Sequence, residues 1–226
     1  MKVHVSRSRR GIMRVAVAMA ATLVISAQAS AQAVSFAGFT NGCFGLGCVP
    51  ANTNAYGTRV FQRLIYQNAT FSGTTALDGT ASLNGAATAL GTQNVNNLGS
   101  FNIFAQALAY NTPFTLAVTF TLPGSGNLFY NALVTGQYVQ LPSPNGGIVT
   151  IDFDNTPQSF AFAGGNMSLV VNDITMPRPV GQVDDLNFAI TGQLSVTATP
   201  EPATLALLGT GLVALVGFMP RRRRNA

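Results

Sequence analysis

Asp152 and Asp154 stand two residues apart in Ile151-Asp152-Phe153-Asp154-Asn155, a spacing that puts both carboxylates on one face of an extended strand. Hard oxygen ligands so placed suit calcium. The same residues also read as a solvated strand face that ends in an Asp-Asn turn, and no EF-hand glycine or glutamate follows Asp152 at the required positions. Asp184 and Asp185 are adjacent, so on a strand they face opposite ways; they either begin the last strand or join a loop cation site. Paired carboxylates can also hydrolyse glycosides without any histidine. Nothing in the spacing brings two of these aspartates to the separation that chemistry needs.

Other catalytic constellations are excluded by composition. The only histidine is His4, so Ser-His-Asp, Cys-His and histidine-ligated zinc arrangements cannot form beyond it. The 226 residues are 47% apolar and 8% charged, far less charged than ordinary soluble domains. A formal net charge of +5 suggests an anionic partner until its distribution is read. Lys2, Arg7, Arg9, Arg10 and Arg14 open the chain and Arg221, Arg222, Arg223 and Arg224 close it. From Val34 to Thr199 there are Arg59, Arg63 and Arg178 against Asp78, Asp152, Asp154, Asp173, Asp184 and Asp185, a formal −3. No basic stripe remains for phosphates, and nucleic-acid binding is rejected. The residues imply no cofactor and no enzyme.

Cys43 and Cys48 bracket Phe44-Gly45-Leu46-Gly47. In an exported chain, two cysteines around a glycine-rich loop imply a disulfide. Two thiolates with no further ligand cannot complete a tetrahedral metal shell. Tyr56, Tyr66, Tyr110, Tyr130 and Tyr138 are available as sugar platforms, although no tryptophan is present.

The elements that position these residues have period two. In Phe114 to Leu122, large apolar side chains alternate with threonine or alanine, with Pro113 expected to start the strand and Pro123-Gly124 to stop it. Val149, Ile151 and Phe153 share a face, and Leu186, Phe188, Ile190, Leu194 and Val196 repeat the pattern. Less regular candidates are Arg59 to Tyr66, Ser100 to Leu108, Leu128 to Gln140, Ser159 to Phe162 and Met167 to Val171. Turn clusters such as Asp78-Gly79, Gly124-Ser125-Gly126 and Gly164-Gly165-Asn166 separate them. About eight strands at this spacing predict an all-β, antiparallel β-sandwich over residues 57–199, after a disulfide-bearing segment over 34–56. Ala76 to Asn97 reads as a long loop or as weak edge strands.

The two ends are addresses. Residues 1–33 read as a signal peptide: a cationic start, an apolar run from Val15 to Ala27, and small-residue cleavage sites at Ala29-Ser30-Ala31 or Ala31-Gln32-Ala33. Ser8-Arg9-Arg10-Gly11-Ile12-Met13-Arg14 also resembles a twin-arginine export motif, so either export route fits. Residues 200–226 comprise Pro200-Glu201-Pro202, an uncharged apolar run over 203–219, then Pro220 and four arginines. Seventeen apolar residues at about 1.5 Å each make roughly 25 Å of helix, near the lower limit of a membrane span. Positive charge at both ends predicts cytoplasmic termini with the middle outside.

That closing order of tripeptide, span and arginines resembles the PEP-CTERM sorting signal of Gram-negative bacteria that secrete exopolysaccharide. The resemblance implies that Pro200, Glu201 and Pro202 are the element read by exosortase, a membrane-embedded processing enzyme, and that Arg221 to Arg224 are the membrane stop. Leu98-Gly99-Ser100-Phe101, Asn111-Thr112-Pro113-Phe114-Thr115-Leu116 and Ile151-Asp152-Phe153-Asp154-Asn155-Thr156-Pro157 look similar to phrases in other ectodomains of that sorting class. The expected protein is an inner-membrane-anchored precursor, then a structural or adhesive protein of the cell surface or matrix associated with exopolysaccharide. The alternatives are a carbohydrate- or calcium-binding module and an aspartate-dependent hydrolase. Expected partners are the export machinery, exosortase and the membrane.

Overall fold

The computed structural model describes residues 33–104, 108–138, 147–179 and 185–198, together with 208, 209, 211 and 212. Among them run fifteen strands. In chain order these are β1 (Ser35–Phe44), β2 (Thr58–Phe61), β3 (Leu64–Gln67), β4 (Ala69–Thr74), β5 (Thr80–Leu83), β6 (Asn94–Val95), β7 (Ser100–Ile103) and β8 (Leu108–Leu122). They continue as β9 (Gly126–Tyr138), β10 (Gly147–Phe153), β11 (Gln158–Phe162), β12 (Gly165–Val171), β13 (Ile174–Arg178), β14 (Leu186–Ala189) and β15 (Gly192–Ala198).

The strands form three sheets. Seven lie in the order β13-β10-β9-β8-β1-β4-β6, four in the order β11-β12-β15-β5 and four in the order β14-β7-β3-β2. All pairings are antiparallel except β4 with β6, which is parallel over two residue pairs. Phe114 and Phe120 lie on one face of β8. Phe114 meets Phe101 of β7 with ring centroids 5.0 Å apart, and Phe120 meets Phe160 of β11 at 5.0 Å. Both smaller sheets therefore pack on the same face of the large one. The all-β, largely antiparallel class is as the alternation predicts. The strand count is not: fifteen strands in three sheets replace about eight in a sandwich. The additional ones are mostly two to five residues long, too short to display a period.

Period two does locate β8 and β10. β8 buries Tyr110, Thr112, Phe114, Leu116, Val118 and Phe120 on one face and turns the alternate residues to the other, where only Ala117 is also buried; β10 buries Val149, Ile151 and Phe153. Pro113 lies inside β8 rather than at its start. Its carbonyl accepts from Gly45 N–H at 2.9 Å, so the position where it lacks a donor faces the place where β1 ends after Phe44. No ladder bond to β9 is lost there.

β1 pairs with β8 on one side and β4 on the other, so part of the cysteine-bearing segment is a central strand. Two glycines fit it there. A Cβ on Gly42 would stand 2.4 Å from the Phe114 ring, and one on Gly38 would stand 2.5 Å from the Phe71 ring. The missing side chains make room for the aromatics on either side. Phe114 touches Phe44, Tyr66, Phe101 and Phe153 and is the hub of the aromatic core.

Several sequence expectations concern residues outside those described: most of the signal peptide (1–32), Asp184, the Pro200-Glu201-Pro202 tripeptide and Arg221 to Arg224. Of the apolar run 203–219, Leu208, Gly209, Gly211 and Leu212 are described, as helical. Among the described residues no helix is long and apolar enough to cross a membrane.

Candidate functional site

The aspartates are placed by strand ends and turns. Asp152 is exposed on the outer face of β10, opposite Leu133. Asp154 lies just past the strand, where its Oδ1 accepts from the Thr156 N–H at 3.0 Å and from the Thr156 hydroxyl. Those bonds favour the carboxylate and hold Asp154 below its ordinary pKa. Asp78 does the same for Thr80, accepting from its hydroxyl at 2.7 Å and its N–H at 2.9 Å, and is likewise held low. Asp173 Oδ1 accepts from Phe153 N–H at 2.9 Å and its Oδ2 from Asn155 Nδ2 at 3.1 Å. Asp185 is exposed just before β14. Among the described residues no three histidine, cysteine, aspartate or glutamate side chains converge on one point. Asp152 and Asp154 share a side of the chain, and the bonds of Asp154 are those of an Asp-initiated turn.

Cys43 and Cys48 are joined in a disulfide with their Cα atoms 6.0 Å apart. The bridge fixes a tight loop in which Gly45 and Gly47 have φ of 102° and 69°, a region that glycine enters without steric cost. Leu46 at its tip is 91% exposed.

The largest polar cluster has no aspartate in it. Gln67, at the end of β3, is buried, and its Nε2 donates to Thr88 Oγ1 at 3.0 Å and to the Thr92 carbonyl. Its Oε1 accepts from Gly91 N–H at 3.3 Å. Asn94 Nδ2 donates to the carbonyls of Gln67 and Asn68 and to Ser100 Oγ. Asn97 Nδ2 donates to the Gly85 and Ala86 carbonyls at 3.1 and 3.0 Å, and its Oδ1 accepts from Gly99 N–H at 2.9 Å. Asn68 Oδ1 accepts from Gly57 N–H at 2.9 Å and its Nδ2 donates to the Ala55 carbonyl at 2.7 Å. Side-chain amides thus do in this region what a neighbouring strand would do elsewhere, satisfying backbone groups of segments 53–57 and 84–93. The signal in the sequence is the placing of Gln67-Asn68 directly after Leu64-Ile65-Tyr66, and of Asn94, Asn96 and Asn97 beside Leu98.

Burial raises the pKa of two interlayer phenols. Tyr66 donates to Thr40 Oγ1 at 2.9 Å and Tyr130 to the Leu169 carbonyl at 2.6 Å; loss of hydration pushes each phenol well above its usual pKa. Such groups remain neutral hydrogen-bond donors and are not poised to exchange protons near neutral pH.

In comparisons with known proteins, residues 198–223 match the model of the PEP-CTERM protein-sorting motif. No curated protein and no solved structure matches the chain. The matched span takes in Pro200, Glu201 and Pro202, the apolar run and the first three closing arginines. The chain therefore carries a PEP-CTERM protein-sorting motif, and with it the mark of an exported protein sorted by exosortase.

Proposed function

We propose that the β-domain is a non-catalytic structural or adhesive module of the cell surface or extracellular matrix, and that it associates there with exopolysaccharide. The sorting motif supports export and sorting by exosortase; on this reading residues 203–219 retain the precursor until exosortase acts near Glu201. The observation that carries the reading is the chemistry of the polar groups. Asp78 and Asp154 accept from their own turns and Asp173 accepts from Phe153 N–H and the Asn155 amide, while a large network of neutral amides and hydroxyls lines the 84–97 region. Neutral amides and threonine hydroxyls suit recognition of hydroxylated, uncharged polymers. This favours the carbohydrate-binding alternative over calcium binding or hydrolysis. The test is co-sedimentation of the protein, as exported by its native host, with that host's exopolysaccharide, alongside mass spectrometry of the mature termini. Retention of the protein in the pellet and loss of the residues beyond the processing point are expected. A protein that stays in the supernatant at every polysaccharide concentration overturns the association.

A further inference from the structure

One row runs straight across the four-stranded sheet β14-β7-β3-β2. Val60 pairs with Ile65, Ile65 with Asn102, and Asn102 with Asn187, so the four side chains stand side by side on one face. That face is opposite the one through which Tyr66 and Phe101 enter the core. Val60 is 62% exposed and Ile65 partly exposed, whereas Asn102 is only 5% exposed. Asn102 Nδ2 and Asn187 Oδ1 are both sealed from solvent, and neither has a hydrogen-bond partner. A donor and an acceptor on directly paired residues are thus left open toward the same space. Buried polar groups without partners are rare and costly.

Residues 84–93 cover this place, as shown by the Thr88 carbonyl, which accepts from Asn187 Nδ2. None of the ten residues in that segment is buried, although its flanks Leu83 and Asn94 are. Polar ties hold it, among them Gln67 to Thr88 and Thr92, Asn97 to Gly85 and Ala86, Thr88 N–H to Asn94 Oδ1 at 2.9 Å, and Gly91 N–H to the Tyr56 hydroxyl at 2.9 Å. Water can replace every such tie, and the apolar surface of the segment's own that lifting exposes is limited, since no residue in it is buried and Leu90 is already 44% exposed. Segments of this kind open at far lower free energy than the strands around them.

We propose that residues 84–93 are a lid over a saccharide site whose floor is the Asn102–Asn187 pair. A single hydroxyl satisfies both orphans, accepting from Asn102 Nδ2 and donating to Asn187 Oδ1. Ile65 and Val60 continue the row as an aliphatic surface for the C–H face of a sugar ring, and the row carries no charge, which selects a neutral ligand. This proposal rests on the association with exopolysaccharide inferred above. Water offers the same hydroxyl chemistry, so the experiment must separate the two sources.

The experiment is hydrogen exchange on the mature protein exported by its native host, with and without neutral oligosaccharides cut from that host's exopolysaccharide. The amides of Thr88, Gly91 and Thr92 are expected to exchange faster than those of β3 and β7, and to slow by roughly tenfold when the oligosaccharides bind. Asn102→Leu with Asn187→Leu removes both orphans at nearly constant shape, and with them the Asn187 tie to the Thr88 carbonyl, which water replaces. It is expected to melt no lower than the wild type and to lose the slowing. Val60→Asp, at an exposed position that does not disturb folding, is expected to weaken the slowing as well. Slowing that persists in both variants overturns the site. So does a lid that exchanges no faster than its flanking strands. An oligosaccharide effect that is missing in the wild type, with a higher melting temperature in the double Leu variant, means that only water occupies the pair. In these cases the intact polysaccharide still sediments the wild-type protein if the functional reading is sound; failure to co-sediment takes down both.

Discussion

The Tyr66 hydroxyl donates to Thr40 Oγ1 at 2.9 Å, joining β3 of a four-stranded sheet to β1, an interior strand of the seven-stranded one. The same oxygen accepts from Ala69 N–H at 3.0 Å. One threonine therefore ties β1, β3 and the start of β4 inside an otherwise aromatic core.

Tyr66→Phe should lower stability by about 1–2 kcal/mol, the net value of one buried hydrogen bond and the exposure of Thr40 to an unfilled position. Thr40→Val should cost more, because it strands the Ala69 amide and leaves the phenol only the Leu98 carbonyl, 3.4 Å away. Urea denaturation of the two variants and the wild type gives both numbers. Equal stability of Thr40→Val and wild type would contradict the role assigned to this oxygen.

The raised phenols also set an alkaline limit. Tyr66 and Tyr130 have higher pKa values folded than unfolded. Their contribution is full below the unfolded value of about 10 and is lost as pH rises past it, because the unfolded chain then releases protons that the folded one holds. Urea midpoints should be level from pH 7 to about 9 and fall above about 10. The double variant Tyr66→Phe, Tyr130→Phe should fall less steeply. At the acid end the sign reverses. Asp78 and Asp154 have depressed values, so what they contribute is present above about 4 and disappears as pH falls through their folded values.

How much of this was legible in the sequence depends on the length and purity of each pattern. β8 and β10 alternate cleanly, and their buried faces are those the alternation marks. β1 was illegible as a strand because Gly38 and Gly42 occupy inward positions where a large apolar residue would have shown the period. Their emptiness serves Phe71 and Phe114, contributed by distant strands, and no local pattern encodes that. The segment 76–97 was undecidable for a related reason. It has too few apolar residues for a core strand; it forms the short edge strands β5 and β6, and the stretch between them is ordered by side-chain amides of Gln67, Asn94 and Asn97. The Asn102–Asn187 pairing joins residues 85 apart in sequence and depends on β14 adding to β7. By contrast the disulfide and the sorting motif are short and local, and both could be read directly.

Gly42→Ala offers a direct test of the glycine argument. Its Cβ would fall 2.4 Å from the Phe114 ring and 2.9 Å from Tyr66, so the aromatic hub must shift. A loss of roughly 1–3 kcal/mol is expected, as for other overpacked cores. Gly57→Ala, whose Cβ would meet nothing closer than 3.8 Å, is the control and should stay within about 0.5 kcal/mol. Melting curves of the two variants decide between them.

Replacement of both Cys43 and Cys48 by serine opens the tight loop at the end of β1. In the chain-entropy model closing so short a loop contributes about 2 kcal/mol, and a comparable loss is expected in urea. Because Gly45 N–H is also held by the Pro113 carbonyl, the loop should loosen without unpairing β1 from β8. Hydrogen exchange should quicken over residues 45–49 and stay slow at Thr40. Rapid exchange along the whole of β1 would show that the bridge holds the strand rather than the loop.

Glu201→Ala tests the address separately from the domain. Glu201 is the only glutamate in the chain and lies between the two prolines of the matched motif. If exosortase reads that carboxylate, the variant domain folds as before but the precursor accumulates uncut in the inner-membrane fraction. Glu201→Asp, which keeps the charge and shortens the reach, separates recognition of charge from recognition of shape. Processing of the aspartate variant with failure of the alanine variant assigns the role to charge. Secretion of Glu201→Ala at the wild-type rate, with the same mature terminus by mass spectrometry, removes the tripeptide from the mechanism and leaves the apolar run and arginines as the only sorting information.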